Sequence, residues 1–142
     1  MEKTERREVA RMTLPEHYES DVLAYFGEHA RELELYGALV RRLAEAVPDT
    51  AVKVQKSQIS FYGRRLYGAA SVPVRRKKGW PPDCLMVTVG LARCEPSPRV
   101  AVATEPYPGR WTHHILVTRE DEIDAQLLAW LREAYEFSET KR

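Results

Sequence analysis

Residues 51–72 read AVKVQKSQISFYGRRLYGAASV, and the period of the chain changes there from that of a helix to that of a strand. Val52 and Val54 alternate with polar neighbours, Ile59 and Phe61 do the same, and β-branched or aromatic residues dominate. Gly63-Arg64 divides the run, so Ala51–Tyr62 and Arg65–Val72 are expected to be the two arms of a hairpin. The first arm breaks its own pattern. Strict alternation from Val52 and Val54 carries Lys56, Gln58 and Ser60 onto the apolar face, whereas Ile59 and Phe61 have the opposite parity. Two accounts fit: a bulge that re-phases the strand, or a polar patch of Lys56 and Gln58 on a sheet face, inviting an anionic or carbonyl partner.

Upstream of the hairpin the period is that of a helix. From Ala30 to Ala46 the residues Leu33, Tyr36, Leu39, Val40 and Leu43 recur at three- to four-residue spacing, and Pro48-Asp49 stops the pattern. A shorter helix precedes it, with Pro15 in its first turn, Val22, Leu23 and Phe26 on its apolar side and Gly27 at its end. Residues 1–12 are charged or small and carry no apolar face, so they are expected to be a disordered tail ahead of a single domain over 13–142.

Downstream, Cys84–Leu91 reads as a central strand, Arg99–Glu105 as the fourth and Trp111–Val117 as the fifth, with Pro106-Tyr107-Pro108-Gly109 forcing the last bend. Thr118-Arg119-Glu120-Asp121 resembles a capping box, and Ile123, Leu127, Trp130, Leu131 and Ala134 continue into a last helix. The fold class is α+β: a five-stranded antiparallel sheet with two N-terminal helices and one C-terminal helix.

The chain has 142 residues and a formal charge of +1, which excludes the strong uniform field of a nucleic-acid packager. No apolar run approaches the roughly 18 residues that would span a bilayer, and the N-terminus has no secretory pattern, so a cytoplasmic protein with no membrane partner is expected. Cys84 and Cys94 lie on and beyond one strand, up to roughly 30 Å apart, and are expected to be reduced thiols. Their spacing to His113 and His114 matches no structural zinc site, and neither a nucleophile elbow nor a phosphate-binding glycine loop occurs, so no metal or cofactor is expected.

The chemically richest run is Val100–Val117, VAVATEPYPGRWTHHILV. His113 and His114 are adjacent on a strand, so they point to opposite faces and cannot serve one metal together. Glu105 and Arg110 bracket the bend, as a surface ion pair or as an orienter and an anion-binding fork. Tyr107 and Trp111 supply aromatic surface there. A second basic feature, Arg75-Arg76-Lys77-Lys78 followed by Trp80, sits in the longest internal loop and would serve as a solvated loop, an anion contact or a nucleic-acid contact.

The segments around Lys56-Ser57-Gln58-Ile59-Ser60-Phe61 and Gly109–His114, with the CLMVTVGL strand and the ending EIDAQLLAWLREAYEFS, resemble the bacterial family known as domain of unknown function 5655, over roughly residues 21–138. The resemblance implies a compact α+β domain, more distantly similar to the YdhG-like domains, and implies no activity. The residues point to an anionic or nucleotide-like small ligand bound on the sheet by Lys56, Gln58, Arg110 and one of His113 and His114. The alternatives are acid–base or phosphodiester chemistry by a histidine with Glu105, and an interaction module built on the basic loop.

Overall fold

The computed structural model describes residues 12–140. Helices α1 (Tyr18–Phe26) and α2 (Ala30–Ala46) are followed by strands β1 (Ala51–Val54), β2 (Ile59–Tyr62), β3 (Leu66–Ser71), β4 (Leu85–Leu91), β5 (Val100–Tyr107) and β6 (Arg110–Val117). A 3₁₀ turn at Glu120–Glu122 leads into α3 (Ala125–Thr140). The strands form one sheet in the order β1-β2-β3-β4-β6-β5, with every neighbouring pair antiparallel.

The sheet has six strands rather than five, because the expected first arm is itself a hairpin. β1 and β2 pair as Val54↔Ile59 and Val52↔Phe61, so all four apolar side chains share one face after all. The parity change comes from the loop Gln55–Gln58, closed by the Gln55 N–H donating to the Gln58 carbonyl at 2.9 Å. A four-residue loop restores the apolar face without a bulge at that point. A bulge does occur between Phe61 and Tyr62, where β2 meets β3. Of the expected tail, residues 1–11 lie outside the described residues. Met12 is buried, and Thr13 bridges in parallel to Ala51 on the edge strand β1.

The two sheet faces differ sharply. One row of register partners, Val54, Ile59, Ala70, Val87, Ile115 and Val100, lies on the helix side, where Ile59, Ala70, Val87 and Ile115 are wholly buried. Leu35, Leu39 and Leu43 of α2 and Leu127 and Leu131 of α3 join the same core. Each such side chain contributes about 1.5–3 kcal/mol of burial. Gly68 marks a close approach: a Cβ there would meet the Thr88 carbonyl oxygen at 2.9 Å and Leu131 Cδ2 at 3.3 Å.

The end of the sheet is pinned to α3 by polar contacts. Asp124 Oδ1 accepts the Leu127 N–H at 3.0 Å, satisfying a free donor of the first turn. Arg99, from the segment before β5, donates to Asp124 Oδ1 at 2.9 Å and to the Glu122 carbonyl at 2.7 Å, and its guanidinium lies over the Trp130 ring. The Glu122 carboxylate accepts from the N–H groups of Thr118 and Arg119.

Candidate functional site

On the sheet face away from the helices, the residues Lys53, Ser60, Ala69, Thr88, His114 and Val102 form a second row across all six strands. β4 shows why this face is open. Its Leu85, Val87, Val89 and Leu91 are buried, while Met86, Thr88 and Gly90 between them are only half-buried. A cleft of about 250 Å³ lies here, lined among others by Gln58, Ala69, Thr88, Gly90, Thr112 and His114, and no helical residue contributes to it. Leu66, Tyr67 and Met86 line it as well, and between them small residues leave room. At Gly90 a Cβ would meet nothing nearer than the Tyr67 carbonyl oxygen, at 3.9 Å.

Several polar groups ring this cleft. His114 Nδ1 is 2.9 Å from Thr88 Oγ1. Burial, with the charges of His113 and Lys77 adding to it, holds the His114 pKa below its usual value, so the ring is neutral at pH 7. A neutral imidazole whose Nδ1 accepts from Thr88 carries its proton on Nε2, and that nitrogen makes no other hydrogen bond among the described residues. Gln58 Nε2 donates to Ser60 Oγ at 2.8 Å, and Ser60 in turn donates to Gln55 Oε1. The chain of bonds orients the Gln58 amide and leaves its Oε1 as an acceptor at the rim. The positive charge of Lys77, in the basic loop, is felt at His114, though no residue of that loop lines the cleft.

The other expected site residues are distributed elsewhere. Lys56 is exposed in the β1–β2 loop, beyond the Val54↔Ile59 pair. Arg110 starts β6, opposite Tyr107. Three inter-strand steps and five residues of strand lie between their positions, a separation of roughly 20 Å. Lys56 and Arg110 are therefore not brought together. Glu105 accepts the Gly109 N–H at 3.0 Å and so braces the bend, with no ion pair to Arg110 among the described residues. Gly109 has φ 75°, which a glycine after Pro108 supplies without strain. Tyr107 is exposed at this turn, and Trp111 lies half-buried opposite Leu91.

The two histidines face opposite sides of the sheet. His113 pairs with Val89 on the helix side and is wholly buried. Its Nε2 accepts the Glu95 N–H at 2.9 Å, which requires the proton on Nδ1. Burial lowers its pKa, with the carbonyls of Val89 and Trp111 opposing. His113 thus holds the β4–β5 connection in place, and its Nδ1, buried without a hydrogen-bond partner, lies on the helix side of the sheet and not in the open cleft.

In the basic loop, Arg75, Arg76, Lys77 and Lys78 are exposed, and Trp80 is half-buried with its N–H bonded to the Lys77 carbonyl. Arg76 donates to the Pro81 carbonyl at 2.6 Å. Cys84 is buried and free, and Cys94 is exposed and free. Among the described residues, no group of three or more His, Cys, Asp or Glu could hold a metal ion, and no helix is long and apolar enough to cross a membrane.

Ala69, Thr88, Gly90 and Thr112 are missing from the residues that sequence reasoning singled out. Their signal was present: glycine and small polar residues inside strands of strong β-formers mark a place where something approaches the sheet. No curated protein and no solved structure matches the chain. Residues 24–138 match the family described as domain of unknown function (DUF5655), and the chain belongs to that family.

Proposed function

We propose that this domain binds a small, flat, nucleotide-like or anionic molecule on the open face of its sheet, in the cleft formed by Gln58, Thr88, Gly90, Thr112 and His114. One observation carries the reading. The sheet has a packed face and a face with no helix on it, and on the second Gly90 and Ala69, beside Met86 and Tyr67, lie among oriented hydrogen-bonding groups. The room left at Gly90 and Ala69 lets a planar body approach the backbone, while the His114 imidazole, the Thr112 hydroxyl and the Gln58 amide supply donors and acceptors at its edge. Lys77 adds positive charge beside His114, which favours a ligand with an anionic group.

A thermal-shift screen with nucleotides, phosphates and carboxylates tests this. A ligand at about 100 times its dissociation constant adds roughly 2.7 kcal/mol of stability. A hit whose effect disappears in His114→Ala supports the cleft; a screen with no hit, or a hit indifferent to His114 and Gln58, contradicts it.

A further inference from the structure

A second cleft, of about 450 Å³, opens where α2 begins, at the end of the sheet that carries the β1–β2 loop. We propose that it is a binding site for a tetrahedral dianion, the phosphate group of a small phosphomonoester. The proposal rests on different residues from the sheet-face reading and stands or falls separately from it.

Its walls bring together groups from four segments: Tyr25 of α1, His29 at the start of α2, Lys56 and Ser57 of the β1–β2 loop, and Arg76 of the basic loop. No acidic residue lines it. Lys56 has no hydrogen bond or ion pair among the described residues. Arg76 donates to the Pro81 carbonyl and makes no ion pair with a carboxylate among the described residues. Two cations lining one cleft with no acidic residue in its wall invite an anion, and the positive end of the α2 dipole at His29 adds to the attraction.

Behind His29 stands Glu32, a carboxylate that is 1% exposed. Its Oε2 has no hydrogen-bond partner and lies 3.7 Å from His29 Nδ1, just beyond bonding distance. A buried carboxylate oxygen left unbonded is costly. Glu32 thus stands behind the imidazole ring, and Tyr25, held between the Ser57 carbonyl and the Val72 N–H, is fixed as a wall of the cleft.

The test is an NMR titration of the full chain with sulfate, whose charge is constant over the relevant pH range, and with inorganic phosphate, each against chloride at equal ionic strength. The expected result is saturable shifts at His29, Lys56, Ser57 and Arg76. Lys56→Gln and Arg76→Gln should each weaken sulfate binding about tenfold, a typical loss for one charge-assisted contact, with Lys78→Gln as a control that leaves it intact. His29→Gln should weaken sulfate binding several-fold. Lys56 sits in an exposed loop, so its variant reports even if Arg76→Gln unsettles the fold. Non-saturating shifts, equal losses in Lys78→Gln, or sulfate binding unchanged in Lys56→Gln and Arg76→Gln would overturn the proposal. A Gly90→Val change, which fills the sheet-face cleft, should leave sulfate binding as it was.

Discussion

Two glycines on opposite sides of the sheet give opposite predictions for one substitution. In Gly68→Ala the new Cβ would sit 2.9 Å from the Thr88 carbonyl oxygen, a backbone atom, and 3.3 Å from Leu131 Cδ2, a side chain with no exposed surface. The carbonyl belongs to β4, paired to β3 through Gly68↔Val89 and Ala69↔Thr88, so relief means shifting the sheet or pushing α3 outward. Overpacking of this kind costs about 1–3 kcal/mol. Against it stands the gain from a less flexible unfolded chain, about 0.4–1 kcal/mol. The balance is a loss of about 1–2 kcal/mol. At Gly90 the same Cβ meets nothing closer than 3.9 Å, so only the favourable contribution remains and Gly90→Ala should stabilise by about 0.4–1 kcal/mol. Urea denaturation of the two variants beside the parent measures both, and the sign of the difference is the point. If Gly68→Ala were neutral or stabilising, α3 would not be packed on β3 and β4 as tightly as described. If Gly90→Ala were destabilising, the open face would not be open.

Other consequences are independent of that pair. The pKa values of His113 and His114 are both held below their usual value, chiefly by burial, so the unfolded chain binds more protons than the folded one in the window below the ordinary histidine value of about 6.5. Their contribution to stability is complete above that value and is lost as pH falls through the lowered folded values. The urea midpoint should therefore hold steady from pH 8 to about 7 and fall towards pH 5, and a flat profile through that window would contradict the burial of His113. Arg99→Ala should cost about 1–2 kcal/mol, because it removes the bonds to Asp124 and the Glu122 carbonyl and uncovers the Trp130 ring. A double-mutant cycle with Asp124→Asn should show positive coupling, and additive losses would mean that the pair contributes nothing. His113→Leu should loosen the Glu95 connection without changing ligand binding at the sheet face, read as faster hydrogen exchange at the Glu95 amide.

The sequence was most legible where a long apolar period met a clear stop. α2 runs from Ala30 to Ala46 because Tyr36, Leu39 and Leu43 repeat at helical spacing up to Pro48. Leu85–Leu91 was likewise plain as a strand. The loop Gln55–Gln58 was not, because it turns the chain without glycine or proline, the two residues whose backbone preferences announce a turn. Its polar residues read instead as a patch on one long strand, which hid a strand boundary and carried Lys56 onto the sheet face. The opposite orientations of His113 and His114 followed from strand parity alone. The distance between Lys56 and Arg110 did not, since it depends on β3 and β4 lying between β2 and β6, an order that no local pattern encodes. Glu32 was hidden for a similar reason: its place on the apolar side of α2, buried behind His29, goes against the ordinary exposure of glutamate.

The central claim is that the open sheet face holds a ligand over the room that Gly90 leaves in the cleft, and Gly90→Val tests it most directly. A valine there fits the strand, has no close contact at its Cβ, and projects into the cleft between Thr88 and Thr112. The measurement is isothermal titration of a screening hit into the parent and into Gly90→Val, with the urea midpoint of each recorded alongside. The account predicts a variant at least as stable as the parent that binds the ligand at least tenfold more weakly. Undiminished binding in a folded Gly90→Val would contradict it.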